Sequence, residues 1–240
     1  MRKEMSLEFA QIQKTSLIDY PGEVASTLFT IGCNFRCPFC HNASLVLPEQ
    51  FPHQRITAEQ ATSELAGRKK YVQAVCITGG EPTIHPELAW FIQSLKAEGL
   101  KVKLDSNGTN PQMLGELYQK GLLDYVAMDI KSSLEYYDES SGAETDIAKI
   151  KESVSLIRGS GVPYEFRTTV VPGLHDLEKI ESIGKWLEGS DLYIIQAFSP
   201  EGGTLDKAFE SKAPFKDKEL QAFVTAAKPY FKEVLLREYY

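Results

Sequence analysis

The stretch Gly32-Cys33-Asn34-Phe35-Arg36-Cys37-Pro38-Phe39-Cys40-His41-Asn42 follows directly on the apolar run 24–31 and holds three of the four cysteines in a chain of 240 residues. An apolar run that opens at once onto a polar, cysteine-bearing loop reads as a buried strand with a site at its end. The count of three is informative. Three thiolates hold an iron–sulfur cubane at three corners and leave one iron open, and an open coordination position separates a site that does chemistry from one that braces a fold or carries electrons. Cys33, Cys37 and Cys40 are therefore the candidate ligands of a [4Fe-4S] cluster.

Two other readings of the same loop stay open at this point. Three cysteines with His41 could hold a structural zinc, although His41 directly follows Cys40, and neighbouring residues seldom converge on one tetrahedral ion. A disulfide framework fits less well, because a chain of this length has enough core without staples and the cysteines are crowded together. The fourth, Cys76, lies in the apolar run Ala74-Val75-Cys76-Ile77 and reads as a buried small hydrophobe.

Outward from the loop, composition sets the class. With 42% hydrophobic and 25% charged residues the chain fits one large α/β domain or two small ones, and no linker, repeat or low-complexity tract interrupts it. The expected organisation is a single domain over 1–240, with a barrel core at 23–200, an N-terminal extension at 1–22, and a C-terminal helix with a short terminal strand within 201–240. The first residues lack the apolar core of a signal peptide and no run has membrane length, so a cytoplasmic protein with no membrane partner is expected. A net charge of −7 disfavours the phosphate backbone, so no nucleic-acid partner is expected either.

Apolar runs alternate with helical patterns along nearly the whole chain. Strands are predicted at 24–31, 72–78, 100–105, 125–130, 164–171 and 192–198, with a short one at 233–236. Between them, Thr57-Ala58-Glu59-Gln60 has the capping-box form. Pro86 falls in the first turn of a helix that Gly99 stops, Asn110-Pro111 opens a helix that Gly121 closes, and Asp176 caps one carrying Leu177, Ile180, Ile183 and Leu187 on its buried face. A helix with Ile147, Ile150, Val154 and Ile157 on one face follows Asp146, and Leu220, Phe223, Val224 and Ala227 mark the last. Six strand–helix units in this order argue for a parallel sheet with right-handed crossovers. A full eight-unit barrel takes about 250 residues, so six units suit this length.

The polar, glycine-rich stretches cluster just past the strand ends, where barrel enzymes carry their sites. Gly79-Gly80-Glu81-Pro82 follows strand two; its glycines permit close backbone approach and Glu81 could bind an ammonium group, unless the segment is only a tight turn. Asp105-Ser106-Asn107-Gly108 follows strand three and Asp129-Ile130-Lys131 ends strand four, with a capped turn and a surface lysine as the plain alternatives. Arg167-Thr168-Thr169-Val170-Val171-Pro172-Gly173 closes strand five, where an arginine can pair with a carboxylate or with a surface neighbour.

The Cys-x-x-x-Cys-x-aromatic-Cys spacing, with Phe39 in the aromatic slot, resembles the signature of the radical S-adenosylmethionine (radical SAM) superfamily. That resemblance implies a partial (β/α)6 TIM-like barrel. It also implies a [4Fe-4S] cluster whose open iron is chelated by S-adenosylmethionine (SAM), and a reductive cleavage that gives methionine and a 5′-deoxyadenosyl radical. It implies that Gly79, Gly80 and Glu81 hold the methionyl amine. The Asp105-Ser106-Asn107-Gly108 and Asp129-x-Lys131 segments resemble those by which glycyl-radical activating enzymes bind the ribose and carboxylate of SAM, with Ser106 in place of the usual Thr, and there the acidic residues can share a monovalent cation. Arg167 falls in an Arg-x-x-Val-Val-Pro-Gly of the same enzymes. At the end of strand six, where the activating enzyme of pyruvate formate-lyase has a histidine, this chain has Gln196-Ala197-Phe198-Ser199-Pro200.

The resemblance covers nearly the full length. Lys14-Thr15-Ser16-Leu17-Ile18-Asp19-Tyr20-Pro21-Gly22 together with the Cys-His-Asn ending of the cysteine loop is similar to the activating proteins of anaerobic ribonucleoside-triphosphate reductase. It implies a glycyl-radical enzyme as partner and a flavodoxin or ferredoxin as electron donor. With Cys76 alone outside the motif, a further cluster cannot be built. The alternative is a radical SAM enzyme acting on a free small molecule, as 7-carboxy-7-deazaguanine synthase does, although that enzyme's Cys-Asp-Thr loop ending is missing here. A non-enzymatic zinc or electron-carrier module is the third reading. Leu134-Glu135-Tyr136-Tyr137-Asp138-Glu139, after strand four, could dock a partner or pack locally.

Overall fold

A computed structural model describes residues 7–47, 51 and 54–238. Its strands are β1 Glu8–Ser16, β2 Ala25–Thr30, β3 Ile56–Thr57, β4 Ala74–Gly79, β5 Lys101–Ser106, β6 Tyr125–Asp129, β7 Tyr164–Val170, β8 Ser190–Ala197 and β9 Phe231–Arg237. The helices are α1 Ala43–Val46, α2 Ala58–Gly67, α3 Leu88–Ala97, α4 Pro111–Gln119, α5 Tyr137–Ser141, α6 Ile147–Gly159, α7 Leu177–Trp186 and α8 Asp217–Ala227. The six strands expected from the sequence correspond to β2, β4, β5, β6, β7 and β8. Two compact units interleave along the chain. The first takes the residues up to Asn34, Ser44–Val126 and Lys149–Pro163; the second takes Phe35–Ala43, Ala127–Ala148 and the residues from Tyr164 on.

In the first unit β2, β4 and β5 run parallel, in the register Leu28↔Ile77 and Ile77↔Leu104. β4 is nearly continuously apolar because both its faces are covered, whereas β5 alternates Lys101, Lys103 and Asp105 with Val102 and Leu104. Val75, Ile77, Val102 and Leu104 are fully buried, as are Leu88, Phe91, Ile92 and Leu95 of α3. Burial of each such side chain contributes about 2 kcal/mol. Thr57 caps α2 with the expected reciprocal box, its hydroxyl taking the Gln60 N–H while the Gln60 side chain takes the Thr57 N–H. Asn110 caps α4 through the Met113 N–H. Pro86 lies before α3 rather than in its first turn, because the chain first makes a 3-10 turn at Pro82–Ile84.

The N-terminal extension holds a strand that the sequence pattern hid. β1 pairs antiparallel with β2, and β3 with β1; breaks in the β1–β2 register after Phe9 and after Gln13 spoil the period-two alternation by which a strand is recognised. Phe9 is anchored on Phe91, ring centroids 4.9 Å apart. The extension's first six residues lie outside the described ones.

In the second unit β7, β8 and β9 run parallel. The short terminal strand is longer than expected, since β9 continues from Phe231, whose ring stacks on Tyr193 at 4.5 Å. Asp176 caps α7 through the Lys179 N–H, and Ile180 and Ile183 are buried. Leu177, counted with them on the buried face, is 47% exposed: it is the first helical residue, nearly a turn short of Ile180. Among the described residues no helix is long and apolar enough to cross a membrane.

Candidate active site

In the first unit the loop that begins at the end of β2 is stitched to its surroundings through the backbone. The N–H groups of Gly32 and Cys33 donate to the Leu45 and Val46 carbonyls at 2.6 and 3.3 Å. Those of Gly80 and Glu81 donate to Thr30 and Gly32 at 2.9 and 2.8 Å, which carries the β2–β4 ladder past both strand ends up to the residue before Cys33. Gly79 and Gly80 are demanded by this close approach. A Cβ on Gly79, at φ +107°, would meet the Thr30 nitrogen at 2.6 Å, and one on Gly80 would overlap the Gly32 carbonyl oxygen. The close neighbours of these two glycines are the backbone atoms of Thr30 and Gly32.

Glu81 has an equally local duty. It is 1% exposed, and its Oε1 accepts from the Thr83 N–H (3.0 Å), the Thr83 hydroxyl (2.5 Å) and the Ser106 hydroxyl (2.9 Å), while Oε2 accepts the Asn107 N–H at 2.6 Å. Burial pushes its pKa up, against the pull of these donors. Glu81 thus braces the loops after β4 and β5 against each other. Asn107 is held as firmly: its side-chain amide donates to Asn34 at 2.9 Å, its oxygen takes the Thr109 hydroxyl at 2.7 Å, and Asn34 returns a bond to Thr109 at 2.8 Å. Asp105 is paired with Lys103 on the same face of β5, and Cys76 donates to it at 3.7 Å. Cys76 is buried as expected, yet its neighbours are charged.

In the second unit Cys37 and Cys40 share one turn, closed by the Cys40 N–H on the Cys37 carbonyl at 3.0 Å. Backbone bonds pin that turn on both sides: Arg36 N–H to Ser141, Leu205 N–H to Cys40 and Asp206 N–H to Pro38, at 2.8, 3.1 and 3.0 Å. Phe39 is buried in the unit. Burial pushes the Cys37 thiol up to about 11, an effect that Lys131 opposes. A thiolate at this position needs a cation beside it, and an iron ion is one.

Asp129 is gripped from two sides. Nε and Nη2 of Arg167 donate to Oδ1 and Nζ of Lys131 to Oδ2, the last at 3.1 Å. Burial alone would raise its pKa; the two cations override burial and hold the carboxyl well below the usual range. Lys131 is fixed again through its carbonyl. Val171 N–H donates to Nδ1 of His175 at 3.1 Å, which leaves the ring proton on Nε2, 2.9 Å from the Lys131 oxygen. His175 carried no sequence signal, since a lone histidine after a Pro-Gly turn looks like any loop residue. Tyr137 of the acidic segment is buried against Phe35, whereas Tyr136 stays 41% exposed with the Lys179 ammonium 4.3 Å from its ring centre.

An iron–sulfur cluster and zinc would draw on different donor sets in this loop. His41, the fourth zinc ligand in that reading, is engaged with the backbone of Glu201 and Gly203 and has its pKa lowered by burial. Three sulfurs remain, the donor set of a cluster with one open iron. Among the described residues no three His, Cys, Asp or Glu side chains already converge on one ion, so the match is one of donor type and spacing.

The model of the radical SAM superfamily matches residues 27–187, well over half of the chain, and the chain belongs to that superfamily. It is a radical SAM enzyme, of a class that works with SAM and a [4Fe-4S] cluster. Among its relatives is a protein of Methanocaldococcus jannaschii, provisionally named a glycyl-radical enzyme activating enzyme, which is 36% identical over 92% of each chain. A 7-carboxy-7-deazaguanine synthase of Aquifex aeolicus is 30% identical over 44% of this chain and 45% of its own. The solved domain of a pyruvate-formate lyase-activating enzyme from Bacteroides vulgatus superposes with a TM-score of 0.55 at 14% identity, covering 68% of this chain and 97% of that one. It shares the α/β fold of the partial-barrel type.

Proposed function

We propose that this enzyme activates a glycyl-radical enzyme by removing a hydrogen atom from the α-carbon of a glycine in it. The supporting observation is the extent of the likeness to the activating enzyme, 36% identical over 92% of both chains. The Cys40-His41-Asn42 ending of the loop agrees with it. Glycine suits the chemistry, having no side chain to obstruct a loop threaded into a site. The partner is of the anaerobic ribonucleotide reductase or pyruvate formate-lyase kind, and the electron donor a flavodoxin or ferredoxin.

When bound, the cluster and SAM supply a one-electron cleavage and a hydrogen-abstracting radical. The chain's own residues hold and orient. Cys33, Cys37 and Cys40 ligate three irons. In the first unit Asp105 accepts from the ribose hydroxyls, and Gly79, Gly80, Glu81, Ser106 and Asn107 keep the two loops rigid around it. In the second unit Lys131, oriented by Asp129 and by His175, takes the carboxylate of SAM, Arg167 fixes Asp129, and Phe39 seats the cysteine turn. The whole chain acts as one radical SAM domain in the cytoplasm.

The test is anaerobic reconstitution with iron and sulfide, reduction, and addition of SAM with and without candidate partners. A glycyl doublet in the partner's spin-resonance spectrum is expected. Release of 5′-deoxyadenosine with no such doublet for any partner would move the assignment to a small-molecule substrate.

A further inference from the structure

We propose that Lys103 is a positioning residue for SAM binding: its buried ammonium is the built-in counter-ion that holds Asp105 in place to accept from a ribose diol. The inference rests on the reading of Asp105 as the ribose contact.

The pleat of β5 puts residues 103 and 105 on one face. Lys103 is 1% exposed and the Asp105 side chain 13%, and the two are joined by an ion pair. A lysine this deep is rare without a paired charge, because an uncompensated ammonium costs several kcal/mol to bury. Lys103 and Cys76 stand opposite each other in the β4–β5 register, and Cys76 Sγ lies 3.8 Å from the ammonium and 3.7 Å from Asp105 Oδ1. The ring of Tyr125 lies 6.0 Å from the ammonium on the same unit. Ammonium and thiol thus address the same carboxylate oxygen, Oδ1.

The arrangement has a chemical consequence. A carboxyl accepts from both hydroxyls of a diol best when ionised, and a buried ammonium paired with it favours that form. A side-chain ammonium does this without recruiting an ion from solution. SAM binding in this chain therefore does not depend on which monovalent cation is dissolved, and loss of the ammonium creates such a dependence.

The test is the affinity of the reconstituted protein for SAM, by equilibrium dialysis at constant ionic strength in tetramethylammonium, sodium or potassium chloride. The unaltered protein is expected to bind equally in all three, within twofold. Lys103→Met is expected to bind at least tenfold more weakly in tetramethylammonium and to recover affinity in sodium or potassium, with cluster absorbance and circular dichroism unchanged. Affinity unchanged in Lys103→Met, or lost with no recovery in any salt, overturns the proposal. Asp105→Asn separates it from the reading beneath: if that variant binds SAM normally, Asp105 is not the ribose contact. Should Lys103→Met not fold, the neutral double variant Lys103→Met/Asp105→Asn replaces it. Affinity equal to that of Asp105→Asn then shows that Lys103 acts only through Asp105, and a further loss overturns the role.

Discussion

Arg167 reaches Asp129 with two donors, Nε and Nη2, both 2.8 Å from the same carboxylate oxygen, while Lys131 holds the other oxygen. Removal of the guanidinium in Arg167→Met leaves Asp129 a single cation. We expect a stability loss of about 2 kcal/mol, below the full cost of breaking a buried pair because Asp129 is a third exposed. SAM affinity should fall with it, since Lys131 then pairs more closely with Asp129. Arg167→Lys should recover little of either, because an ammonium lacks the two-pronged geometry. Urea denaturation and equilibrium dialysis check both expectations.

His175 makes the loop after β7 sensitive to acid. Burial lowers its pKa from the ordinary value to about 4, so the folded protein prefers the neutral ring, which accepts from Val171 and donates to Lys131. The unfolded chain binds the proton near pH 6.5, so this contribution is complete above that pH and is lost as pH falls from about 6.5 through 4. The whole effect is on the order of 3 kcal/mol. Denaturant titrations across this range should show His175→Gln with a flatter pH dependence than the unaltered chain; parallel curves would refute the assignment.

Gly80→Ala should destabilise the first unit by on the order of 2 kcal/mol or more, because its new methyl group meets the backbone of Gly32 and not a movable side chain. The substitution also presses on the residue before Cys33. Thermal unfolding of the apoprotein should register the loss before any cofactor is present.

Glu81→Gln distinguishes a brace from a ligand contact. An amide placed among four donors loses at least one acceptor position and sets an N–H₂ against another donor, which costs about 1–3 kcal/mol. The melting temperature of the apoprotein should drop. An unchanged melting temperature would refute the brace, and weaker SAM binding would support the direct contact read from the sequence.

Alanine at Cys33, Cys37 or Cys40 should each remove cluster absorbance and SAM cleavage. Cys76→Ser should keep both, since a hydroxyl can still donate to Asp105. Normal cleavage by any of the three loop variants would contradict the ligand set.

The sequence by itself determined whatever local chemistry controls: six strands and the helices between them, the caps at Thr57, Asn110 and Asp176, the three-thiol loop, and the polar residues at the strand ends. Each of these is written within a few neighbouring residues, by periodicity, by a capping side chain or by spacing. Tertiary structure alone decided what the site residues touch. Glu81 ties two loops together because Thr83, Ser106 and Asn107 all donate to it, a role that the Gly-Gly-Glu-Pro motif does not show. Lys103 looked like one lysine among many until the pleat and the β4–β5 register placed it beside Asp105 and Cys76. His175 gained its role from the Lys131 carbonyl, 44 positions away in the chain. A buried polar group must find its partner wherever the fold brings one, and nothing in the local sequence says where that is.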